Sequence, residues 1–237
     1  MIEAFSYSAG DVTCDGQLAL PPGDERRPGI AVFADIGGIG AHTIERADRL
    51  ADELGYVALA ADFYGEGMVP QDFAAGMPLL QSWRADPAAI AIRAGAALDA
   101  LAAHPRCNGQ LGAIGFCFGG TVVLELARAN YPGYLAGVSF HGDLTTIAPL
   151  NAGPLSTRLL VCHGAEDPIV PDTALVGFLR EMAAAEADCQ TIAYTGALHS
   201  FTNKNADGVE RPFAKYDART DRRSWAAMKA HFAEAFG

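Results

Sequence analysis

Four short segments hold the side chains able to do covalent chemistry. In Gly115–Gly120 (GFCFGG), Cys117 stands between glycines where an apolar run ends and a helical pattern begins. This glycine–x–nucleophile–x–glycine spacing suits a sharp strand-to-helix turn that holds one side chain clear of the backbone. The glycines remove side chains that would collide across the turn, and the central residue is forced into strained dihedrals. A helix start beyond Cys117 supplies unpaired amide protons and a positive partial charge, which favour a thiolate. The competing reading is a structural cysteine, since cysteine is often simply buried. A dinucleotide loop fits poorly because the GxGxxG spacing is missing.

The segment His163–Pro171 (HGAEDPIVP) carries Asp167 in a turn whose backbone is fixed by Pro168. Standing alone, it reads as a turn carboxylate bonded to its own backbone. Glu166 is the neighbouring candidate, which the turn aims elsewhere. In Gly196–Phe201 (GALHSF), His199 follows the last apolar run by a short loop. A lone loop histidine is ordinarily a surface residue. Order changes the weighting, because cysteine, acid and histidine follow one another at 117, 167 and 199, each directly after an apolar run. A histidine to take the thiol proton and a carboxylate to orient the ring would equip Cys117 for acyl transfer. That chain order is the one found in α/β-hydrolases.

The fourth segment is Ala34–Gly40 (ADIGGIG). Its glycines let the backbone approach a ligand closely, and the Ile36 amide is expected to join that of Phe118 in an oxyanion hole. Asp35 either serves the chemistry or merely bonds its own loop. A Rossmann loop is excluded, because Thr43 stands at the third glycine position.

These segments need elements to position them. Ile30–Ala34, Tyr56–Ala60, Leu111–Phe116, Leu135–Phe140, Leu159–Cys162 and Thr191–Tyr194 are short, nearly continuous apolar runs, as strands buried on both faces require. Helical patterns fall between them near Thr43–Leu54, Asp86–Ala103, Phe118–Ala129, Asp172–Ala187 and Asp221–Phe236. Asp86-Pro87 and Pro171-Asp172 mark helix starts. Alternation of this kind predicts a mostly parallel, doubly wound α/β sheet with helices on both faces. Ligands then bind outside the carboxyl ends of the strands, where the four segments lie. The first twenty residues are expected to add one or two short antiparallel strands. Pro21–Pro28 is a turn, no repeat or linker appears, and residues 1–237 read as a single domain.

Composition narrows the partners. The formal charge of −11 and pI near 4.9 argue against nucleic acid or an anionic membrane. Small neutral substrates fit this balance better. Met1 to Thr13 show no signal-peptide pattern, and no apolar run approaches ~18 residues, so no membrane span is expected. Cys14, Cys107, Cys117, Cys162 and Cys189 are odd in number and include no CxxC pair. A disulfide framework or structural zinc is therefore not expected, and a reducing cytoplasm is. The six histidines show no zinc-like spacing, so no metal or cofactor is expected.

Together the four segments resemble the dienelactone hydrolase (carboxymethylenebutenolidase-like) family, from about Gly29 to the C-terminal helix. Gly115–Gly120 is the most specific element, supported by the HGAEDPIVP and ALHSFTN segments. The resemblance implies the α/β-hydrolase fold, with Cys117 as nucleophile, His199 as base, Asp167 as its partner, and Ile36 and Phe118 amides as oxyanion hole. It also implies a thiol-holding role for the first loop's acid, which here is Asp35 in place of the family's glutamate. Dienelactone hydrolases proper bind a substrate carboxylate with arginines, one of them four residues after the histidine. Here that position is Asn203, and no Arg or Lys occurs from Glu66 to Trp83. That stretch supplies Met68, Phe73, Met77, Leu79, Leu80 and Trp83 instead, either as a pocket wall or as ordinary packing of a short helix. The expected pocket comprises Met68, Phe73, Trp83, Phe201 and Asn203. The expected activity is cysteine-dependent hydrolysis of neutral or activated esters and lactones by a monomer or small homo-oligomer. Only a modest loop, 141–157, separates two strands, so no large cap is expected and the site should be open. Phosphotriester hydrolysis through the same triad and a redox-sensing thiol protein are the alternatives. The second normally needs a resolving cysteine close by.

Overall fold

The structure, a computed structural model, describes residues 1–150, 154–209 and 211–237. In chain order its elements are β1 (Ile2–Ala9), β2 (Val12–Ala19), β3 (Arg27–Phe33), α1 (Ala41–Leu54), β4 (Val57–Ala61), α2 (Phe73–Arg84), α3 (Pro87–Ala103), β5 (Cys107–Phe116), α4 (Phe118–Arg128), β6 (Tyr134–Phe140), β7 (Arg158–Gly164), α5 (Asp172–Ala184), β8 (Cys189–Tyr194) and α6 (Ala218–Phe236). All eight strands join one sheet in the order β1-β2-β4-β3-β5-β6-β7-β8. Strands β3 to β8 run parallel, and β2 meets β4 antiparallel. This is the mostly parallel sheet that the alternating pattern predicts.

Alternate residues along each parallel strand feed opposite cores, as a period of two requires. In β3, Ala31 and Phe33 join the side covered by α3, α4 and α5. Ile30 and Val32 join the side covered by α1 and α6. Both faces are dry, which explains why these strands carry no polar alternation.

Three features differ from expectation. The N-terminal strands are a full hairpin, paired from Ile2–Ala19 to Ala9–Val12, rather than short additions. Pro28 lies inside β3, at the register shift between Arg27 and Gly29, where its missing N–H does no harm. Helix α2 forms as a separate element although it contains Pro78 and buries only Gly76. Its start is set by Asp72, whose side chain accepts the Ala75 amide at 2.8 Å. No helix intervenes between β6 and β7 among the described residues. Part of loop 141–157, residues 151–153, lies outside them.

Helix α4 follows the Cys117 turn and is anchored at its other end. Arg128 reaches Glu181 of α5 through Nε and Nη2 at 2.9 and 2.8 Å. It also reaches Glu125 at 2.9 Å and the Leu144 carbonyl at 2.9 Å. All three charged side chains are nearly enclosed. Removing one member of such a set strands the others without partners in a dry site. Arg128→Met should therefore lower unfolding free energy by about 3–5 kcal/mol in denaturant titrations, whereas a change within ~0.5 kcal/mol would show that the set contributes nothing net.

Candidate active site

β5 ends at Phe116 and α4 begins at Phe118, which leaves Cys117 as the whole turn. Its backbone lies at φ 53° and ψ −115°, outside the regions an L-residue prefers. Holding it there costs on the order of 1–3 kcal/mol. The turn closes so tightly that a Cβ on Gly115 would sit 1.9 Å from the Gly119 carbonyl oxygen. A Cβ on Gly119 would lie 2.2 Å from that of Phe33. The Cys117 amide is shared between the Phe140 carbonyl at 3.0 Å and Nδ1 of His141 at 3.1 Å. The sulfur belongs to a half-buried residue at the start of α4.

The turn after β7 brings Asp167 beside the loop that carries His199. Its Oδ1 accepts the Ile169 amide at 2.9 Å, closing the turn on itself. Its Oδ2 lies 2.7 Å from Nδ1 of His199, with both side chains buried. The carboxylate therefore makes the local turn bond and the long-range one together. Glu166, the neighbouring candidate, is exposed. The histidine loop is pinned on its far side, where His199 donates its amide to the Phe213 carbonyl and accepts that of Lys215.

Cys117 and His199 line one cleft of about 140 Å³. Nε2 of His199 is buried and has no hydrogen-bond partner among the described residues. Sulfur and ring border the same space, so the Cys117 thiol is the group on offer to Nε2. Burial pulls the His199 ring down. A thiolate charge on Cys117 and the Asp167 hydrogen bond outweigh that and lift it to about 10.

Ile36 and Phe118 border the same cleft, and neither backbone amide donates to another described group. The Ile36 peptide is held from behind by Tyr64, whose hydroxyl donates to the Ile36 carbonyl at 2.9 Å. Burial raises the Tyr64 hydroxyl, with the charges of Asp35 and Cys117 adding to it, so it stays a donor. Asp35 also borders the cleft. Its Oδ1 accepts the Gly37 amide at 2.9 Å, and its Oδ2 accepts from Asn203 at 3.5 Å. It makes no hydrogen bond to Cys117 among the described residues.

Of the five residues expected on the pocket wall, only Phe73 lines this cleft. Met68 is exposed to solvent. Trp83 turns into the core, 4.7 Å from Phe63 between ring centroids. Phe201 is fully buried beneath the site, and Asn203 is held by Asp35. The remaining apolar wall is Ile36, Met77, Leu80, Ile169 and Phe213.

The cleft also has cations that the stretch from Glu66 to Trp83 and position 203 do not supply. Arg84 and Arg211 both reach it. Arg84 lies one residue beyond the stretch that lacked cations, and Asp143 neutralises it at 2.5 Å. Arg211 comes from an irregular segment with no periodicity to betray it, and its guanidinium lies 5.4 Å from the Phe73 ring centre.

A mostly parallel sheet of this order, with a strained Gly–x–Cys–x–Gly turn and an acid–histidine pair at the strand ends, defines an α/β-hydrolase fold. The chain belongs to the dienelactone hydrolase family, whose profile matches residues 14–236, and is an ester-bond hydrolase. It is similar to a dienelactone hydrolase-like promiscuous phosphotriesterase from metagenomic libraries, with 39% identity, a TM-score of 0.93, and 100% of this chain and 99% of that one covered. It is also 26% identical to the carboxymethylenebutenolidase of Pseudomonas putida, over 88% of this chain and 89% of that protein. An uncharacterised protein of Caenorhabditis elegans is 38% identical over 60% of this chain and 90% of its own length.

The raised His199 ring has a testable origin. Because the folded value near 10 exceeds the ordinary histidine value of 6.5, the imidazolium adds stability in full below 6.5 and loses it as pH climbs through 10. In an NMR titration, wild-type His199 should stay protonated until about pH 10. Cys117→Ser removes the thiolate charge, so its His199 should deprotonate at distinctly lower pH. Equal titration in both proteins would refute a thiolate–imidazolium pair.

Proposed function

We propose that the protein hydrolyses neutral or activated esters and lactones through an acyl-thioester on Cys117. The observation that carries this reading is the 2.7 Å Asp167–His199 contact at the wall of the cleft that Cys117 also lines. His199 takes the thiol proton, while Asp167 fixes its tautomer with Nδ1 protonated and stabilises the imidazolium. The thiolate attacks the carbonyl carbon, and the oxygen gathers charge against the Ile36 and Phe118 amides. One such donor is typically worth on the order of 2.7–4 kcal/mol in the transition state. The tetrahedral species collapses as the alcohol leaves with the proton from His199. Water, deprotonated by the same ring, then attacks the thioester, and the acid departs as the C–S bond breaks, which leaves the thiolate beside the imidazolium. The scheme draws on the chain's own groups alone, and residues 1–237 act as one domain.

Substrate class follows from the wall. Ile36, Phe73, Met77, Leu80 and Phe213 suit an apolar acyl or aryl arm. Arg84 is held by Asp143 and Asn203 by Asp35, so neither is offered to a substrate carboxylate, and Arg211, stacked on Phe73, is the cleft cation left to meet a polar substituent. Asp35 orders the first loop by capping Gly37, and through that loop the Ile36 amide.

Phosphotriester hydrolysis is a second reading, supported by the 39% identity to the promiscuous phosphotriesterase. A phosphoryl oxygen would use the same amide pair, with sulfur attacking phosphorus, the aryloxide leaving, and water deprotonated by His199 then breaking the P–S bond to release the diester.

With a short-chain nitrophenyl ester, Cys117→Ala and His199→Ala should each lower kcat/KM by on the order of a thousandfold or more. Iodoacetamide should silence the wild type in step with alkylation of Cys117. Undiminished turnover by Cys117→Ala would end this reading. If diethyl nitrophenyl phosphate is not hydrolysed by enzyme that cleaves the ester, the second reading goes.

A further inference from the structure

His141 has no place in the scheme above, yet it lies at the centre of the site's supports. It follows β6 directly, is 2% exposed, and holds its backbone at φ 42°, in the left-handed region. Its neighbours dictate one tautomer. Nδ1 faces the Cys117 amide at 3.1 Å and can only accept, so it carries no proton. Nε2 therefore carries the proton and donates to the Thr202 hydroxyl at 2.8 Å. Burial first, and then a charged His199, hold this ring well below the ordinary histidine range, so it stays neutral.

The two ends of the ring touch the two halves of the site. Cys117 is the nucleophile turn, and Thr202 lies in the loop of His199, three residues on. Thr202 is itself fixed from behind, since its carbonyl accepts from Arg46 at 2.7 Å and buried Arg46 pairs with Asp221 at 2.9 Å. The His141 ring meets the His199 ring edge-on, with centroids 5.2 Å apart, and Phe201 closes its other side at 5.0 Å.

We propose that His141 is a positioning residue, a neutral strut that accepts the Cys117 amide and donates to Thr202, and so sets the separation between nucleophile and base. The proposal rests on the reading of Cys117 and His199 as a reacting pair. The Cys117 amide keeps its Phe140 carbonyl when the imidazole is lost, so the turn has a reason to survive while the spacing drifts. Errors of about 1 Å between reacting groups can cost roughly a hundredfold in rate.

The experiment compares His141→Leu, His141→Gln and Thr202→Val with wild type on a nitrophenyl ester, beside NMR titration of His199. Leucine can neither accept nor donate, whereas glutamine offers both on one side chain. His141→Leu should lower kcat ~10- to 100-fold with KM little changed, and its His199 should deprotonate at lower pH as the ring leaves the sulfur. His141→Gln should recover most of the loss. Thr202→Val should move both readouts the same way by less, and it decides the matter if His141→Leu does not fold. A folded His141→Leu with wild-type kcat and titration, or equal impairment by leucine and glutamine, would overturn the strut. The His199 titration needs no turnover, so ester hydrolysis that proved independent of Cys117 would count against the proposed function and leave this test intact.

Discussion

At the end of β5 the chain must turn from strand to helix within one residue, and the rest of the site is arranged around that demand. Cys117 makes that turn at φ 53°, and it borders the same cleft as Phe118, whose amide donates to no described group. The conformation persists because Gly115 and Gly119 let backbone meet backbone, with no room for a Cβ at either position. Two acceptors, the Phe140 carbonyl and His141 Nδ1, then hold the strained amide. Strain kept in place by surroundings is characteristic of reactive sites.

Parallel topology supplies the remaining geometry. Strands β3, β5, β6, β7 and β8 all end at one edge, so loops far apart in sequence meet there. The Asp167 and His199 loops arrive as neighbours because β7 pairs with β8, with Gly164 opposite Tyr194. Asp167 then binds the Ile169 amide with one oxygen and His199 with the other, which fixes the carboxylate before the histidine needs it. Tyr64 does the same for the Ile36 peptide across the cleft. Each of these groups is thus held from behind by a second one.

Much of this was legible in the residues. Burial on both faces leaves strands as bare apolar runs, so all six parallel strands stand where Ile30–Ala34 through Thr191–Tyr194 predict them. The strand-to-helix turn at Cys117 was readable because Gly–x–Cys–x–Gly answers a steric need. Pocket residues were not, since an aromatic side chain announces burial and not direction. Trp83 and Phe201 went to the core while Phe213, from an irregular segment, went to the cleft. Arg84 and Arg211 escaped for related reasons, one just past a window set by spacing and the other in a stretch without periodicity. His141 had the same signal as the others, a polar residue directly after an apolar strand. Nothing in the sequence says that its ring spans from Cys117 to Thr202.

The central claim is that a bond forms between substrate carbonyl carbon and one sulfur. Rapid-quench mass spectrometry during the first turnover of a nitrophenyl ester, followed by peptide mapping, addresses it most directly. The account predicts one acyl group of the expected mass on the peptide bearing Cys117, forming with the nitrophenolate burst and decaying at the steady-state rate. An acyl group on any other residue, or a burst with unmodified Cys117, would contradict it.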